Sequence, residues 1–312
     1  MSDEPFDVFL KAHPLYGAAY ERLLAASRLL GTSAQLVYEL HPETLGPVAD
    51  EILSFVESAY PGDYAEAYLA RVNRMAKLQE RFDANPTSAT LSDGSAVPAE
   101  AYSLALLLSI VFTNHRFEIL EALKTFLQQL PADAAGTIAS IGCGTGYELK
   151  LAAERLPAWS IEGYDTDAEM RAGAKRLLQF FRVAKPVDFR VEFNLNEPPQ
   201  PSGQHYDAII LCEVLEHLPD PARALATLRE CLTDGGTMFV TMAINIAQED
   251  HIFLYPDIES CRRQISESGL KVKCEWIAPQ TIRFPPQDRK IGFKKGNYIA
   301  IVSRDERLSR VA

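Results

Sequence analysis

The stretch Thr137-Ile-Ala-Ser-Ile-Gly142-Cys-Gly144-Thr-Gly146-Tyr147-Glu-Leu-Lys-Leu-Ala-Ala-Glu-Arg155-Leu-Pro157 decides the fold class. Its opening residues are small, apolar or β-branched, the composition of a buried strand, and its closing residues carry helical spacing that stops at Pro157. Between the two, glycines at 142, 144 and 146 let the backbone turn sharply and approach a ligand closely, because no Cβ blocks the path. The helix N-terminus beyond them favours a polar or anionic ligand group. A dinucleotide fingerprint, G-x-G-x-x-G, would place its third glycine at 147, where this chain has Tyr147. That side chain disfavours an NAD-dependent oxidoreductase.

Downstream of Pro131, short β-branched runs ending at turn residues alternate with helical patterns, as in βαβ units. Candidate strands are Thr137–Ile141, Ser160–Tyr164, Asp188–Phe193, Tyr206–Leu211, Gly236–Thr241, Lys271–Ile277 and Asn297–Val302. Their order predicts an α/β architecture over residues 131–312, a Rossmann-like, seven-stranded doubly wound sheet. Upstream, residues 1–130 read as an α-helical N-terminal domain, with apolar residues at helical spacing such as Leu23, Leu24, Leu29, Leu30 and Ile52, Leu53, Phe55, Val56. Pro47, Pro61-Gly62, Asn85-Pro86 and Ser92-Asp93-Gly94 divide these helices, and the looser segment 83–98 reads as a surface loop, with a hinge or lid as the alternative. The apolar run Tyr102–Phe112 is about half the roughly 20 residues that cross a bilayer, so it reads as a buried helix and no membrane insertion is expected.

With 312 residues and 47% hydrophobic content, the chain is long enough for two cores. Its net charge of -11 repels phosphate backbones, so a small-molecule partner is expected rather than nucleic acid. The basic run Arg289-Lys290 with Lys294-Lys295 reads as a solvated loop. Five scattered cysteines with no C-x-x-C pair argue against a disulfide framework and a zinc knuckle, and point to the cytoplasm. The acidic start MSDEPFDVFLKAHP lacks the basic and apolar parts of a signal peptide. Nothing in the sequence specifies an oligomeric state.

About twenty residues beyond the glycines, Ser-Ile-Glu-Gly-Tyr164-Asp165 ends the next strand with a carboxylate at the carboxyl edge of the sheet, where it can grip a ribose. The alternative role for Asp165 is to cap the helix that begins near Ala168. Further on stands Tyr206-Asp-Ala-Ile-Ile-Leu211-Cys-Glu213-Val-Leu-Glu216-His217-Leu-Pro-Asp-Pro-Ala, then a helix and Leu232-Thr-Asp-Gly-Gly236-Thr. This ordered set over residues 137–241 resembles the class I S-adenosylmethionine-dependent methyltransferases, and its last part resembles the fourth-strand region of the ubiquinone-biosynthesis-type O-methyltransferases and related small-molecule enzymes. The resemblance implies S-adenosyl-L-methionine as cofactor. It implies Gly142, Cys143, Gly144, Gly146 and Tyr147 around the methionine part, Asp165 and Thr166 at the ribose, Asn194 or Leu195 at the adenine edge, and Cys212 and Glu213 facing the sulfonium.

Methyl transfer needs little covalent help, so the expected work is alignment and exclusion of water. A hydroxyl acceptor benefits from a base, and His217 has the right chemistry, with a capping or packing role as the alternative. Glu213, Glu216 and His217 stand in E-x-x-E-H spacing, which on a helix shares one face, and His251 adds a second imidazole. This set is similar to the metal site of the small-RNA 3′-terminal 2′-O-methyltransferases, which implies a divalent metal ion as a further cofactor. The leading expectation is methyl transfer to a small-molecule oxygen nucleophile, with the N-terminal helices closing the pocket. The alternatives are a metal-assisted RNA-type 2′-hydroxyl methyltransferase and a cofactor-binding scaffold without catalysis. Phe112, Phe117, Phe253 and Tyr255 are candidate pocket aromatics that also fit a simple core.

Overall fold

The structure is a computed structural model that describes residues 4–26, 28–60, 62, 64–191, 195, 205–280 and 295–305. Helices come first: α1 (Pro5–Ala12), α2 (Pro14–Ala26), α3 (Arg28–Leu40), α4 (Leu45–Ala59), α5 (Tyr64–Ala84), α6 (Ala99–Phe112) and α7 (Asn114–Gln129). Helix α6 is apolar on nearly every side, so it belongs in the centre of the helical layer, and Leu104, Leu107, Leu108, Val111 and Phe112 are all buried. Thr113, in an extended conformation, stops it, and α7 leaves at 85°. No single described helix is long and apolar enough to cross a membrane.

The strands are β1 (Thr137–Ile141), β2 (Ser160–Tyr164), β3 (Val187–Arg190), β4 (Tyr206–Leu211), β5 (Leu232–Ile244), β6 (Leu270–Pro279) and β7 (Gly296–Arg304), in the order β3-β2-β1-β4-β5-β7-β6. Strands β1 to β5 pair in parallel, and β7 is antiparallel to both β5 and β6. The sheet is α/β and doubly wound as expected, with one antiparallel strand that periodicity did not reveal. Its direction of winding reverses between β1 and β4, which opens a crevice beyond their carboxyl ends. Helices α8 (Tyr147–Arg155), α9 (Ala168–Phe180), α10 (Pro221–Glu230) and α11 (Ile258–Glu267), with 3₁₀ turns at Ser88–Thr90 and Leu215–His217, complete the described elements.

Two large cores form, divided by the sheet rather than by the two halves of the chain. Alternation along β4 sends Ala208 and Ile210 to one face and Ile209 and Leu211 to the other. The first face merges with the N-terminal helices, so Leu53, Phe112 and Phe126 share one apolar cluster with Ile138, Ile210 and Phe239. The Phe126 ring of α7 lies 5.8 Å from that of Phe239 on β5. Residues 85–98 form a largely exposed surface segment, as expected, and it is anchored at two adjacent residues. Leu91 is buried with Leu78, Phe82 and Ala247, and the Ser92 hydroxyl donates to the Glu249 carbonyl.

Candidate active site

The three glycines adopt left-handed backbone angles, with φ of 69° at Gly142, 49° at Gly144 and 80° at Gly146. Space forbids a side chain as firmly as strain does at two of them. A Cβ on Gly142 would fall 2.6 Å from Val214, and one on Gly146 would fall 2.7 Å from Ala174 of α9. The loop is thereby pressed between the β4 exit and α9, with α8 starting directly behind it.

Asp165, at the end of β2, accepts the Gly144 N–H on Oδ2 at 3.0 Å and the Asp167 N–H on Oδ1 at 2.9 Å. Burial pushes its carboxyl up, and these two N–H donors pull it back. The cap of α9 is Asp167, whose carboxylate accepts from Glu169 at 2.7 Å and Met170 at 3.2 Å. The capping role is therefore taken two residues later, and Asp165 lines the crevice.

That crevice is a cleft of about 550 Å³, a size suited to a small-molecule ligand. Of the residues expected at a cofactor, Gly142, Cys143, Gly144, Asp165, Thr166, Leu195, Cys212 and Glu213 line it, as does His217. Asn194 lies outside the described residues. Gly146 and Tyr147 are not part of its wall. Tyr147, expected on the ligand side, is 1% exposed and turns its ring to the N-terminal helices, where its hydroxyl donates to Glu51 of α4 at 2.9 Å. Lys150 joins the same carboxylate at 3.0 Å, so the first turns of α8 are docked on α4.

The E-x-x-E-H stretch does not share a helix face. Glu213 has φ 55°, and only Leu215–His217 form a 3₁₀ turn. Glu213 Oε2 pairs with Arg116 of α7 at 2.8 Å, while Oε1 accepts from Thr241 at 2.8 Å and Asn297 at 2.6 Å. Glu213 is thus withdrawn from the expected metal set. The other three members do meet: Glu216, His217 and His251 each present a ligand atom within 4.8 Å of the others. Glu216 is 0% exposed, and among the described residues neither carboxylate oxygen has a hydrogen-bond partner. Burial, and then the charge of Glu213, push its carboxyl well above the ordinary range. His251 is buried too, with Nδ1 held by the Ile246 carbonyl at 2.8 Å, which leaves Nε2 3.9 Å from Glu216 Oε1. His217 lies edge-on to His251, its Nδ1 3.4 Å from Asp250 Oδ2.

The far wall comes from upstream of residue 131. Val97, Tyr102, Leu106, Ile110 and Arg116 all line the cleft, and no motif marked any of them. Tyr102 sat unnoticed at the edge of a run that reads as core. The proposed aromatics are instead packing residues: Phe112, Phe117 and Tyr255 are buried away from the cleft, and Phe253 flanks the second core. Among the described lining residues, Arg116 is the single Lys or Arg, against the carboxyls of Glu148, Asp165, Asp167, Glu213 and Asp250. From the basic run, Lys295 pairs with Asp83, and Arg289, Lys290 and Lys294 lie outside the described residues.

A glycine loop between β1 and α8, with a carboxylate of β2 folded over it at a reversal of strand order, defines a Rossmann-like nucleotide-cofactor domain. The chain belongs to the methyltransferase-domain family, whose model matches residues 112–274. It is similar to the trans-aconitate 2-methyltransferase of Rhodopseudomonas palustris, at 29% identity over 148 residues covering 47% of this chain and 54% of the relative. The enzyme of the same name from Afipia carboxidovorans is 31% identical, with the same coverage. The chain thus spans about half the length of the curated relatives it matches. Among solved structures, the CurJ carbon methyltransferase shares the fold, with a TM-score of 0.51 at 18% identity over 82% of this chain and 70% of that one.

Proposed function

We propose that this protein transfers a methyl group from S-adenosylmethionine to the oxygen of a small-molecule acceptor. The observation that carries the proposal is the Asp165 carboxylate held over the glycine loop by the Gly144 N–H, with a cleft-facing position and no capping duty. These residues fit the cofactor: a carboxylate for the ribose hydroxyls, an open glycine backbone for the methionine part, and Leu195, Cys212 and Glu213 along the wall. The bound cofactor supplies a methyl group on a good sulfur leaving group. The protein's part is to align and to exclude water, with Tyr102, Leu106 and Ile110 of the N-terminal region as the acceptor cover. His217 is the proposed base. Asp250 fixes its orientation through Nδ1, and Nε2, which has no partner among the described residues, is the atom that takes the hydroxyl proton. The curated relatives are named for trans-aconitate, a tricarboxylate, whereas the acidic wall of this cleft favours a neutral or cationic acceptor. Five scattered cysteines with no C-x-x-C pair fit a cytoplasmic enzyme.

Calorimetric titration with S-adenosylhomocysteine and, in parallel, NADH tests the proposal. One-to-one binding of the former alone is expected, and binding of NADH alone would overturn it.

A second reading, in which a divalent ion assists the hydroxyl, is favoured by the orphaned Glu216 carboxylate beside His251 and His217. Two imidazoles and a carboxylate suit a first-row transition ion, which lowers the proton affinity of a bound hydroxyl. Mn²⁺ at about 100 times its Kd should then stabilise the wild type by about 2.7 kcal/mol in thermal unfolding, and leave Glu216→Ala and His251→Ala unmoved. An unshifted wild type would sink the metal.

A further inference from the structure

Resting on the cofactor reading above, we infer that Arg116 is a carboxylate-binding subsite of the cleft, and that it takes the carboxylate at the amino-acid end of the cofactor. The side chain comes from α7, upstream of the glycine loop and outside every motif in the sequence. Three observations carry the assignment.

The first is charge. S-adenosylmethionine brings a sulfonium, an ammonium and one carboxylate into a cleft whose described walls hold five carboxyl side chains and one guanidinium. The acidic walls suit the two cations. Among the described side chains that line the cleft, Arg116 is the one cation that can meet the carboxylate, beside the partial positive charge of the α8 N-terminus.

The second is the way Arg116 is held. It is 13% exposed, and Nη1 meets Glu213 Oε2 at 2.8 Å. Glu213 cannot follow the guanidinium about, because its other oxygen is tied to Thr241 and Asn297, and its own N–H donates to Thr241 at 2.7 Å. A guanidinium has five N–H donors in a planar fork. One ion pair orients that fork and leaves donors over for a ligand, as a bidentate carboxylate site requires.

The third is position. Arg116 pairs with Glu213 and shares the cleft wall with Glu148, Cys212 and Tyr102. Glu148 belongs to the first turn of α8 directly behind the glycine loop, and Cys212 follows β4. This is the end of the cleft that receives the methionine part when Asp165 receives the ribose. An acceptor carboxylate is the other source of the same chemistry, and the test separates the two.

S-adenosylhomocysteine carries the amino-acid end, and 5′-methylthioadenosine lacks it while keeping the nucleoside and the sulfur. Arg116→Gln should bind the first about 10- to 100-fold more weakly, and the second about as tightly as the wild type does. Arg116→Lys, which keeps the charge, should recover part of the loss. Unchanged affinity of Arg116→Gln for S-adenosylhomocysteine would overturn the subsite and point to the acceptor. An equal loss for both ligands would make Arg116 a support of the cleft rather than a ligand. A wild type that binds neither would bring down the cofactor reading itself, and the subsite with it.

Discussion

Asp165→Ala is expected to weaken binding of S-adenosylhomocysteine by about 2 kcal/mol, a loss of roughly 30-fold. Two effects act in the same direction. The ribose loses a charged acceptor, and the Gly144 N–H loses the carboxylate that holds the loop at 3.0 Å. Asp165→Asn separates them in part, because its one amide oxygen can still accept from Gly144 while the charge and the bond from the Asp167 N–H are lost. Its affinity should fall between that of the wild type and that of the alanine variant. Both are measured by calorimetry, with thermal unfolding as a check that the fold survives. The cap of α9 rests on Asp167, so helix stability should change little. Unaltered affinity in Asp165→Ala would mean that the ribose lies elsewhere.

Phe239→Ala should cost about 3–5 kcal/mol of unfolding free energy, the range for deleting a buried aromatic ring. The residue is 0% exposed in the middle of β5 and packs toward Phe126 of α7. Its cluster runs without a break from the sheet into the N-terminal helices, so the cavity would loosen both. Denaturant unfolding should therefore show one transition moved to lower concentration, not two transitions of which one moves. A loss below about 1 kcal/mol would show that the helices are not packed on this face as described. Two residues along the same strand, Thr241 fixes Glu213, so a shifted β5 should also weaken ligand binding.

Much of the catalytic layer was legible because its signals are local. Gly142 and Gly146 announce a strand–turn–helix unit through φ and lack of space, and both constraints act on residues near in sequence or at fixed offsets. Asp165 follows from the same logic, as the residue directly after the next parallel strand. Strand ends were less legible. β5 continues from Leu232 to Ile244, well past the predicted Gly236–Thr241, because pairing with both β4 and β7 holds residues that composition alone leaves undecided.

The E-x-x-E-H stretch shows where local reading failed. Its spacing implies a shared helix face only if the segment is a helix, and a left-handed Glu213 followed by a single 3₁₀ turn breaks that premise. What collected Glu216, His217 and His251 was the return of the chain after β5, where the Ile252 and Phe253 N–H groups donate to the Glu216 carbonyl at 2.8 and 3.0 Å. Tyr147 failed in the opposite sense. It occupies a motif position, yet its ring is claimed by Glu51, 96 residues earlier.

The sequence by itself determined the α/β class, the glycine loop and its acidic partner, since backbone sterics and strand periodicity act over short stretches of chain. Only the tertiary structure decided which side chains face the cleft from the helical region. Arg116 and Tyr102 reach it because a cluster of buried apolar residues, gathered from both halves of the chain, presses α6 and α7 toward the sheet. The hydrophobic effect that drives this packing is non-directional, so it leaves no spacing in the sequence from which the far wall of the site could be read.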